Sequence, residues 1–275
     1  MSTLVRTLPT GPQWILRDSL QMVRRALKHT MRQPEMLVFS TIQPVMFVLL
    51  FRYVFGGAIK TGGPYADYLM PGIFVQTTVF GSMLTGIGLA NDLNNGIIDR
   101  FRSMPMSRSA VLVGRTVADT VRNVFIVALM LLVGVLTGYR PHGGALGLIG
   151  GCALIIVFGF AFSWVSAFLG IAIRNPEAVQ SAGFIWVFPL TFVSSAFVPV
   201  DSMPWWLHDF AKVNPFTIAV DAARQLMAGP QEAGEFAHFS SLGGTVSLNV
   251  VSSLVWAALI LAVFIPLAVH RYRRA

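Results

Sequence analysis

The chain has 275 residues, of which 55% are hydrophobic and only 12% are charged, with a formal net charge of +8. Soluble domains carry roughly 25% charged residues, so this composition excludes an ordinary soluble domain and indicates an integral membrane protein. The basic residues flank apolar runs, so membrane topology and anionic lipid explain the positive charge better than a nucleic-acid partner does.

The N-terminal segment, residues 1–36, is predicted to be cytoplasmic and to hold an amphipathic helix at 14–33. Apolar residues three or four apart form one stripe along it: Leu16, Leu20, Val23, Leu27 and Met31. Basic residues occupy the adjoining arc: Arg17, Arg24, Arg25, Lys28 and Arg32. Such a helix can lie in the headgroup plane with its basic side toward anionic lipid. The alternative is a soluble helix packed on a partner, but a membrane span follows at once.

The remainder of the chain, residues 37–275, is predicted to be one domain with six transmembrane helices. The apolar runs that predict them lie at 37–57, 68–90, 120–139, 146–173, 178–198 and 246–269. Each is near or above the ~20 residues needed to cross ~30 Å of hydrocarbon. The predicted fold class is therefore an all-α integral membrane protein.

The distribution of Lys and Arg predicts the orientation of these spans. If both termini are cytoplasmic, only five of the twenty basic residues lie outside: Arg52, Lys60, Arg140, Lys212 and Arg224. Short cytoplasmic loops are enriched in Lys and Arg, so this asymmetry favours an even number of spans with both termini inside. The predicted location is the cell membrane, with several crossings.

The longest strongly polar stretch between two apolar runs is Asn91–Arg115, which the orientation places in the cytoplasm. Gly96 is expected to break a helix, Ile97 to Met104 could form two turns of a new one, and Pro105 ends it. A short amphipathic helix held off the membrane offers a surface to another protein, so we expect this loop to receive mechanical work from a soluble partner. The alternative is a solvated, positively charged connector.

The outer segment 199–245 is too long for a simple connection. Asp201–Pro204 is a helix start signal, and Trp205 and Trp206 suit a membrane interface. After Asn214 and Pro215, a second amphipathic helix is predicted at Phe216–Ala228, stopped by a glycine and a proline. Two short helices dipping toward the bilayer fit this segment better than a loop in water.

Within the second outer helix, Asp221 and Arg224 are three residues apart, so they share a helical face and can pair. The spans themselves are nearly free of ionisable groups, and no Asp or Glu is expected at mid-span. Arg52 is the only charge well inside an apolar run, and snorkelling to the interface explains it more simply than a function does. Several neutral polar residues lie in or near spans, where they either join helices or line a pathway: Gln43, Gln76, Asn123, Ser163, Ser166 and Gln180.

No catalytic or metal site is predicted. The five histidines are scattered, no carboxylate dyad or triad can be proposed, and the single cysteine, Cys152, excludes a cysteine metal site within one chain. The one Walker-like stretch, residues 56–61, lacks the glycine before its lysine. The chain is therefore expected to bind no ATP in that manner and to be no enzyme.

Three stretches, together with the order of spans and loops, carry a resemblance to a known family. They are Phe51–Gly57 (FRYVFGG), Asn95–Arg108 (NGIIDRFRSMPMSR), and Asn214–Thr217 (NPFT) followed by Asp221–Arg224 (DAAR). Over nearly its whole length the chain resembles the type-2 permeases of ATP-binding-cassette exporters, and within them the daunorubicin-resistance-type group.

The resemblance implies that the polar loop is a coupling helix docked in a groove of a separate ATPase that binds ATP and Mg. The expected coupling residues are Gly96, Ile97, Asp99, Arg100, Phe101, Arg102, Met104 and Pro105. In the family an acidic run is common before this glycine and a threonine after it. This chain has Asn94, Asn95 and Ile97 there instead, and Asp99 keeps the later carboxylate of the family loop.

The resemblance also implies that outer re-entrant helices cap the substrate path, with Pro215, Asp221 and Arg224 as their marked residues. The expected function is export of a hydrophobic or amphiphilic cargo, a drug, antibiotic or lipid, by two permease chains, identical or different, and the ATPase subunits. One alternative is a membrane scaffold or regulatory protein that binds a soluble partner and transports nothing. A secondary carrier is a further alternative, disfavoured by the missing mid-span acids.

Overall fold

The structure is a computed structural model that describes residues 17, 20–25, 34–55, 65–97, 108–237 and 245–274. This part of the chain is all-α and contains no β-strand. Its helices are α1 (Pro34–Leu50), α2 (Tyr65–Asn94), α3 (Arg108–Leu136), α4 (Gly144–Ile173), α5 (Pro176–Phe192), α6 (Trp205–Val213), α7 (Pro215–Ala237) and α8 (Val246–Arg274). A π-helical turn, Phe51–Phe55, extends α1, and a 3₁₀ turn, Val200–Ser202, precedes α6.

Four helices are long and apolar enough to cross a bilayer: Tyr65–Asn94, Ala110–Leu136, Gly144–Ile173 and Val246–Tyr272. They overlap four of the six predicted spans. The other two predicted spans, 37–57 and 178–198, correspond to α1 and α5, which have 17 residues each. The described chain is thus that of an all-α membrane protein.

The helix α2 lies at the centre of the bundle, in contact with α1, α3, α4, α5 and α7. Of its most apolar segment 72% is buried, against 11% for α8, whose apolar side chains are mostly exposed. Glycines allow α2 and α4 to approach closely: a Cβ on Gly86 would overlap the backbone oxygen of Ser166, and one on Gly170 would overlap that of Gly86. Small residues serve this purpose where membrane helices pack tightly.

Local sequence signals set several of the helix ends. Asn175 caps α5 by accepting a hydrogen bond from the backbone N–H of Ala178 at 3.0 Å, and Pro176 occupies the first helical position. Asn214 accepts from the N–H of Phe216 at 2.9 Å at the start of α7. The predicted stop at Gly229 is a kink, with φ at 83°, after which the chain is helical again to Ala237.

Two apolar clusters divide the bundle along its length. The larger surrounds α2 and the start of α7, while the smaller joins the last turns of α2, the start of α3 and the ends of α4 and α8 around Leu112, Ile171 and Tyr272. We call the end of the bundle that contains the smaller cluster the Gly96 end, and the opposite end the Gly229 end. Residues 20–25, within the predicted N-terminal helix, are helical, and Met22 packs on the Gly96 end.

Candidate functional site

The predicted coupling segment begins where α2 ends. After Asn94 the chain turns at Gly96, whose φ of 66° lies in the left-handed region that glycine adopts readily. Ile97 is helical again and packs on the Gly96 end. The other coupling candidates lie outside the described residues: Asp99, Arg100, Phe101, Arg102, Met104 and Pro105. The expected break at Gly96 is thus confirmed, and the coupling helix stays a prediction.

A charged cluster joins α2 to α3 near this segment. The carboxylate of Asp119 accepts a hydrogen bond from Thr85 at 2.6 Å and lies 3.0 Å from Nη1 of Arg122 and 3.5 Å from Nε of Arg115. Arg122 also donates to the carbonyl of Gly81 at 2.7 Å. The bonds to Thr85 and Gly81 cross from α3 to α2, so they hold together the two helices that flank the predicted coupling segment.

The position of Asp119 corrects the expectation that no carboxylate lies at mid-span. That expectation placed the start of the third span at residue 120, but the helix begins at Arg108 and its candidate span at Ala110. Asp119 is buried well inside this span. The boundary was misjudged because the charged and polar residues between 115 and 123 lower the average hydropathy, although Thr116, Asp119 and Asn123 are buried in the bundle.

A second charged cluster lies at the Gly229 end, and it contains the predicted pair. Asp221 and Arg224 are both 2% exposed, with Nη1 of Arg224 3.0 Å from the Asp221 carboxylate. The guanidinium also donates to the carbonyls of Tyr68 at 3.0 Å and Ser195 at 2.7 Å, and it lies 3.7 Å from the centre of the Tyr68 ring. Ser195 donates to Asp221 at 2.6 Å. The arginine is therefore bonded on all sides.

This second cluster ties α7 to α2 and to the turn that follows α5. The Tyr68 hydroxyl donates to the carbonyl of Ser195 at 2.9 Å, and the Tyr65 hydroxyl donates to that of Phe197 at 3.1 Å. Asn214, just before Pro215, donates to the carbonyls of Leu190 and Val193 at 2.6 and 2.7 Å. Sequence reasoning found the pair on α7 but missed Tyr68 and Ser195, because no local pattern links residues so distant in the chain.

A cleft of about 280 Å³ opens between α1, α2, α3 and α5. Its polar lining includes three glutamines, Gln43, Gln76 and Gln180, and its apolar lining includes three phenylalanines, Phe47, Phe80 and Phe184. No Asp, Glu, Lys or Arg is part of this lining. Each primary amide both donates and accepts hydrogen bonds, so the cleft can bind an apolar molecule that carries a few polar groups.

The neutral polar residues singled out in the sequence thus divide between two roles. Ser166 accepts from the N–H of Gly86 and donates to the carbonyl of Met83, both at 3.1 Å, and Asn123 donates to the carbonyl of Thr78 at 3.4 Å. These residues join helices, as small polar side chains commonly do in membranes. Ser163 bonds within its own helix, to the carbonyl of Phe160 at 2.7 Å. The three glutamines line the cleft.

Two other candidates from the sequence are placed without a clear functional role. Arg52 is half-buried, with its guanidinium beside Gly138 and 5.9 Å from the ring of Tyr53. Trp205 and Trp206 are exposed on α6, as side chains at a membrane interface would be. In the part of the chain that the structure describes, no group of three metal-ligating side chains is brought together.

Comparison with known proteins gives this arrangement a class. Residues 18–228 match the family model described as ABC-2 type transporter. The chain is 36% identical over 249 residues to a daunorubicin resistance ABC transporter permease of Streptomyces coeruleorubidus, covering 90% of this chain and 82% of that protein. It is 24% identical over 263 residues to a probable doxorubicin resistance ABC transporter permease of Mycobacterium tuberculosis, covering 94% of this chain and 89% of that protein.

A putative transport permease of Pyropia yezoensis is 24% identical over 219 residues, covering 77% of this chain and 74% of that protein. The chain therefore belongs to the ABC-2 type transporter family. It is the permease subunit of an ATP-binding-cassette exporter, as the sequence predicted, and the scaffold alternative finds no support.

Proposed function

We propose that the chain moves a hydrophobic or amphiphilic drug or antibiotic out across the cytoplasmic membrane, with lipids or glycolipids as the other candidate cargo class. The names of the Streptomyces and Mycobacterium relatives support a drug cargo. The observation that carries the proposal is the uncharged cleft of phenylalanines and glutamines. Such a lining accepts apolar surface and satisfies a few polar groups, which suits a cargo taken from the bilayer rather than an ion.

The working unit that we propose contains two permease chains and two ATPase subunits. The ATPases bind ATP and Mg, and their closure pushes the segment from Gly96 to Pro105, which joins α2 to α3. Because the Asp119 cluster fastens these two helices to each other, the push reaches them together and shifts the bundle between two arrangements. This chain itself is proposed to hydrolyse no ATP.

We propose six spans with both termini cytoplasmic and α6 and α7 as outer re-entrant helices. The 17 residues of α1 extend about 26 Å and the π-helical turn lengthens them, so this element nearly crosses ~30 Å of hydrocarbon. The 17 residues of α5 are of the same length, and the turn after Phe192 continues toward the Gly229 end. The Lys and Arg asymmetry supports this orientation.

Cysteine labelling tests this topology. In a Cys152→Ser background, Ser103→Cys should react only with reagent applied from the cytoplasm, and Gly234→Cys only with reagent applied from outside. Labelling of both cysteines from the same side would refute the six-span arrangement.

The cleft is tested by removing its hydrogen-bonding groups while keeping their size. Gln76→Leu and Gln180→Leu should each reduce ATP-dependent export of daunorubicin several-fold, since an amide that bonds a polar cargo group is lost. Gln21→Leu changes an exposed glutamine in the N-terminal helix, outside the cleft, and serves as the matched control. If all three variants export at the wild-type rate, the cleft is not part of the cargo path.

A further inference from the structure

Seven phenylalanines form a continuous row that starts in the cleft and reaches the Gly229 end. Its members are Phe47, Phe51, Phe80, Phe184, Phe188, Phe192 and Phe197, and each ring centre lies 4.6–6.3 Å from the next. This is the range of separations over which aromatic rings attract one another. We call this set the phenylalanine row.

The row has two branches that converge. On α5, Phe184, Phe188 and Phe192 are spaced by four residues, so they occupy one helical face over about 12 Å. On α1, Phe47 and Phe51 are likewise four residues apart. Both branches reach Phe197, in the turn after α5: its ring lies 5.3 Å from Phe192 and 4.6 Å from Phe51.

The rings toward the Gly229 end of the row are close to parallel, and two of them are partly exposed. The planes of Phe188 and Phe192 differ by 1°, those of Phe51 and Phe197 by 21°, and those of Phe192 and Phe197 by 27°. Phe188 and Phe192 are 40% and 42% exposed. Part of each of these two side chains is therefore accessible to a flat molecule, and the small angle between their planes allows it to stack on both in the same orientation.

The far end of the row is held by the second charged cluster. The carbonyl of Phe197 accepts a hydrogen bond from Tyr65, and the carbonyl of Ser195, two residues earlier, accepts from Tyr68 and Arg224. The row therefore joins the glutamine-lined cleft to the helix α7 that closes the Gly229 end. Its rings lie at the position that a path between the two would take.

We propose that the phenylalanine row is the surface along which the permease passes flat, polycyclic aromatic cargo from the cleft toward the Gly229 end. This inference rests on the proposed function. When a flat cargo molecule moves from one ring to the next, it exchanges one stacking contact for another. The apolar face of the cargo therefore stays in contact with a ring throughout the movement. Multiple weak sites of this kind allow both entry and exit. The glutamines bind the polar substituents of the same molecule at the entrance.

Substitutions that remove rings but keep apolar volume test the row. Phe188→Leu/Phe192→Leu is the test variant, Phe188→Tyr/Phe192→Tyr retains the rings, and Phe125→Leu changes an exposed phenylalanine on α3 outside the row. In proteoliposomes containing the permease and its copurifying ATPase, the leucine pair should lower daunorubicin transport at least tenfold, with a higher KM. The tyrosine pair and Phe125→Leu should stay within twofold of the wild type. Thermal unfolding of every variant shows whether transport falls because cargo binding is weaker or because the protein is less stable.

Binding to the purified permease in nanodiscs, followed by quenching of daunorubicin fluorescence, tests the row without the ATPase. The leucine pair should bind at least tenfold more weakly than the wild type and Phe125→Leu. Equal binding by all three, or no binding by the wild type beyond that of empty nanodiscs, would overturn the proposal, and the rings would serve packing alone. Normal binding without ATP-dependent transport by the wild type would contradict the proposed function and leave the row as a binding surface.

Discussion

Clusters of aspartate and arginine contact α2 near its start and in its second half, and they differ in how completely their charges are enclosed. At the Gly229 end, Arg224 is 2% exposed, its guanidinium bonds Asp221 and two backbone carbonyls, and it stacks on Tyr68. At the Gly96 end, the Arg115 side chain is 28% exposed, and its ion pair with Asp92 is 3.9 Å long. Nε of Arg122 has no hydrogen-bond partner among the described residues.

This difference indicates which end of α2 is fixed and which can rearrange. A buried charge with every bond made is costly to disturb, since each lost bond leaves a charge in apolar surroundings. A cluster with long, part-exposed ion pairs can exchange partners with water at small cost. The Gly229 cluster therefore suits a fixed attachment of α7 to α2. Near the Gly96 end, the buried Asp119–Arg122 pair and the Thr85 bond keep α2 and α3 together, and only the part-exposed contact of Arg115 with Asp92 is suited to rearrange where the proposed motion enters.

The largest predicted effect comes from removing one member of the buried Asp221–Arg224 pair. Arg224→Ala or Asp221→Ala alone leaves an uncompensated buried charge and should destabilise the protein by about 3–5 kcal/mol. The double substitution removes both charges and should impair daunorubicin export less than either single one. Thermal unfolding in lipid and export at matched membrane levels are the two measurements.

A conservative variant separates charge from shape at the same place. Asp221→Asn keeps the volume and an acceptor for Ser195, so it should fall between the wild type and Asp221→Ala. If both alanine variants unfold and export as the wild type does, the buried pair of Asp221 and Arg224 does not fix α7 to α2.

The next effect concerns the predicted coupling segment at the Gly96 end. Ile97, Phe101 and Met104 are spaced by four and three residues, which gives the predicted coupling helix an apolar side. Phe101→Ala should weaken ATPase assembly by roughly 2 kcal/mol or more, because a buried aromatic anchor carries binding energy. Arg102→Ala should have a smaller effect, since charges at an interface rim mainly tune encounter. ATPase copurification and export measure both, and full assembly with Phe101→Ala would mean that the loop is only a solvated connector.

The smallest predicted effects compare the two aspartates that pair with Arg115, Asp119 and Asp92. Asp119→Asn removes the charge that Arg115 and Arg122 share and should cost about 2 kcal/mol, since it leaves Arg122 buried without its counter-ion. Asp92→Asn affects only the long, part-exposed contact and should cost no more than about 0.5 kcal/mol. Thermal unfolding of the two variants side by side measures the ratio, and equal losses would place both aspartates in one enclosed network.

Features that depend on composition or on neighbouring residues were predictable from the sequence. Hydropathy located the helices α2, α3, α4 and α8, because a bilayer demands long apolar segments. The break at Gly96 followed from local backbone preference, and so did the irregular backbone at Gly229, although the predicted stop there is a kink after which the chain is helical again. The Asp221–Arg224 pair followed from helical spacing.

Features that depend on contacts between distant helices were not predictable. The bonds of Arg224 to Tyr68 and of Thr85 to Asp119 connect different helices, and no periodicity in a single segment encodes them. The start of α3 was misplaced for a related reason. The charged and polar residues between 115 and 123 lower its hydropathy, and only their packing on α2 makes Asp119 part of a span.

ATP-dependent transport by the reconstituted complex tests the central claim most directly. The purified permease, the purified ATPase and the two together are placed in separate proteoliposomes, and daunorubicin movement and ATP hydrolysis are measured in each. We predict transport only when both proteins and ATP are present, and no ATP hydrolysis by the permease alone. Robust hydrolysis by the permease alone, or a complex that hydrolyses ATP without moving daunorubicin or lipid, would contradict it.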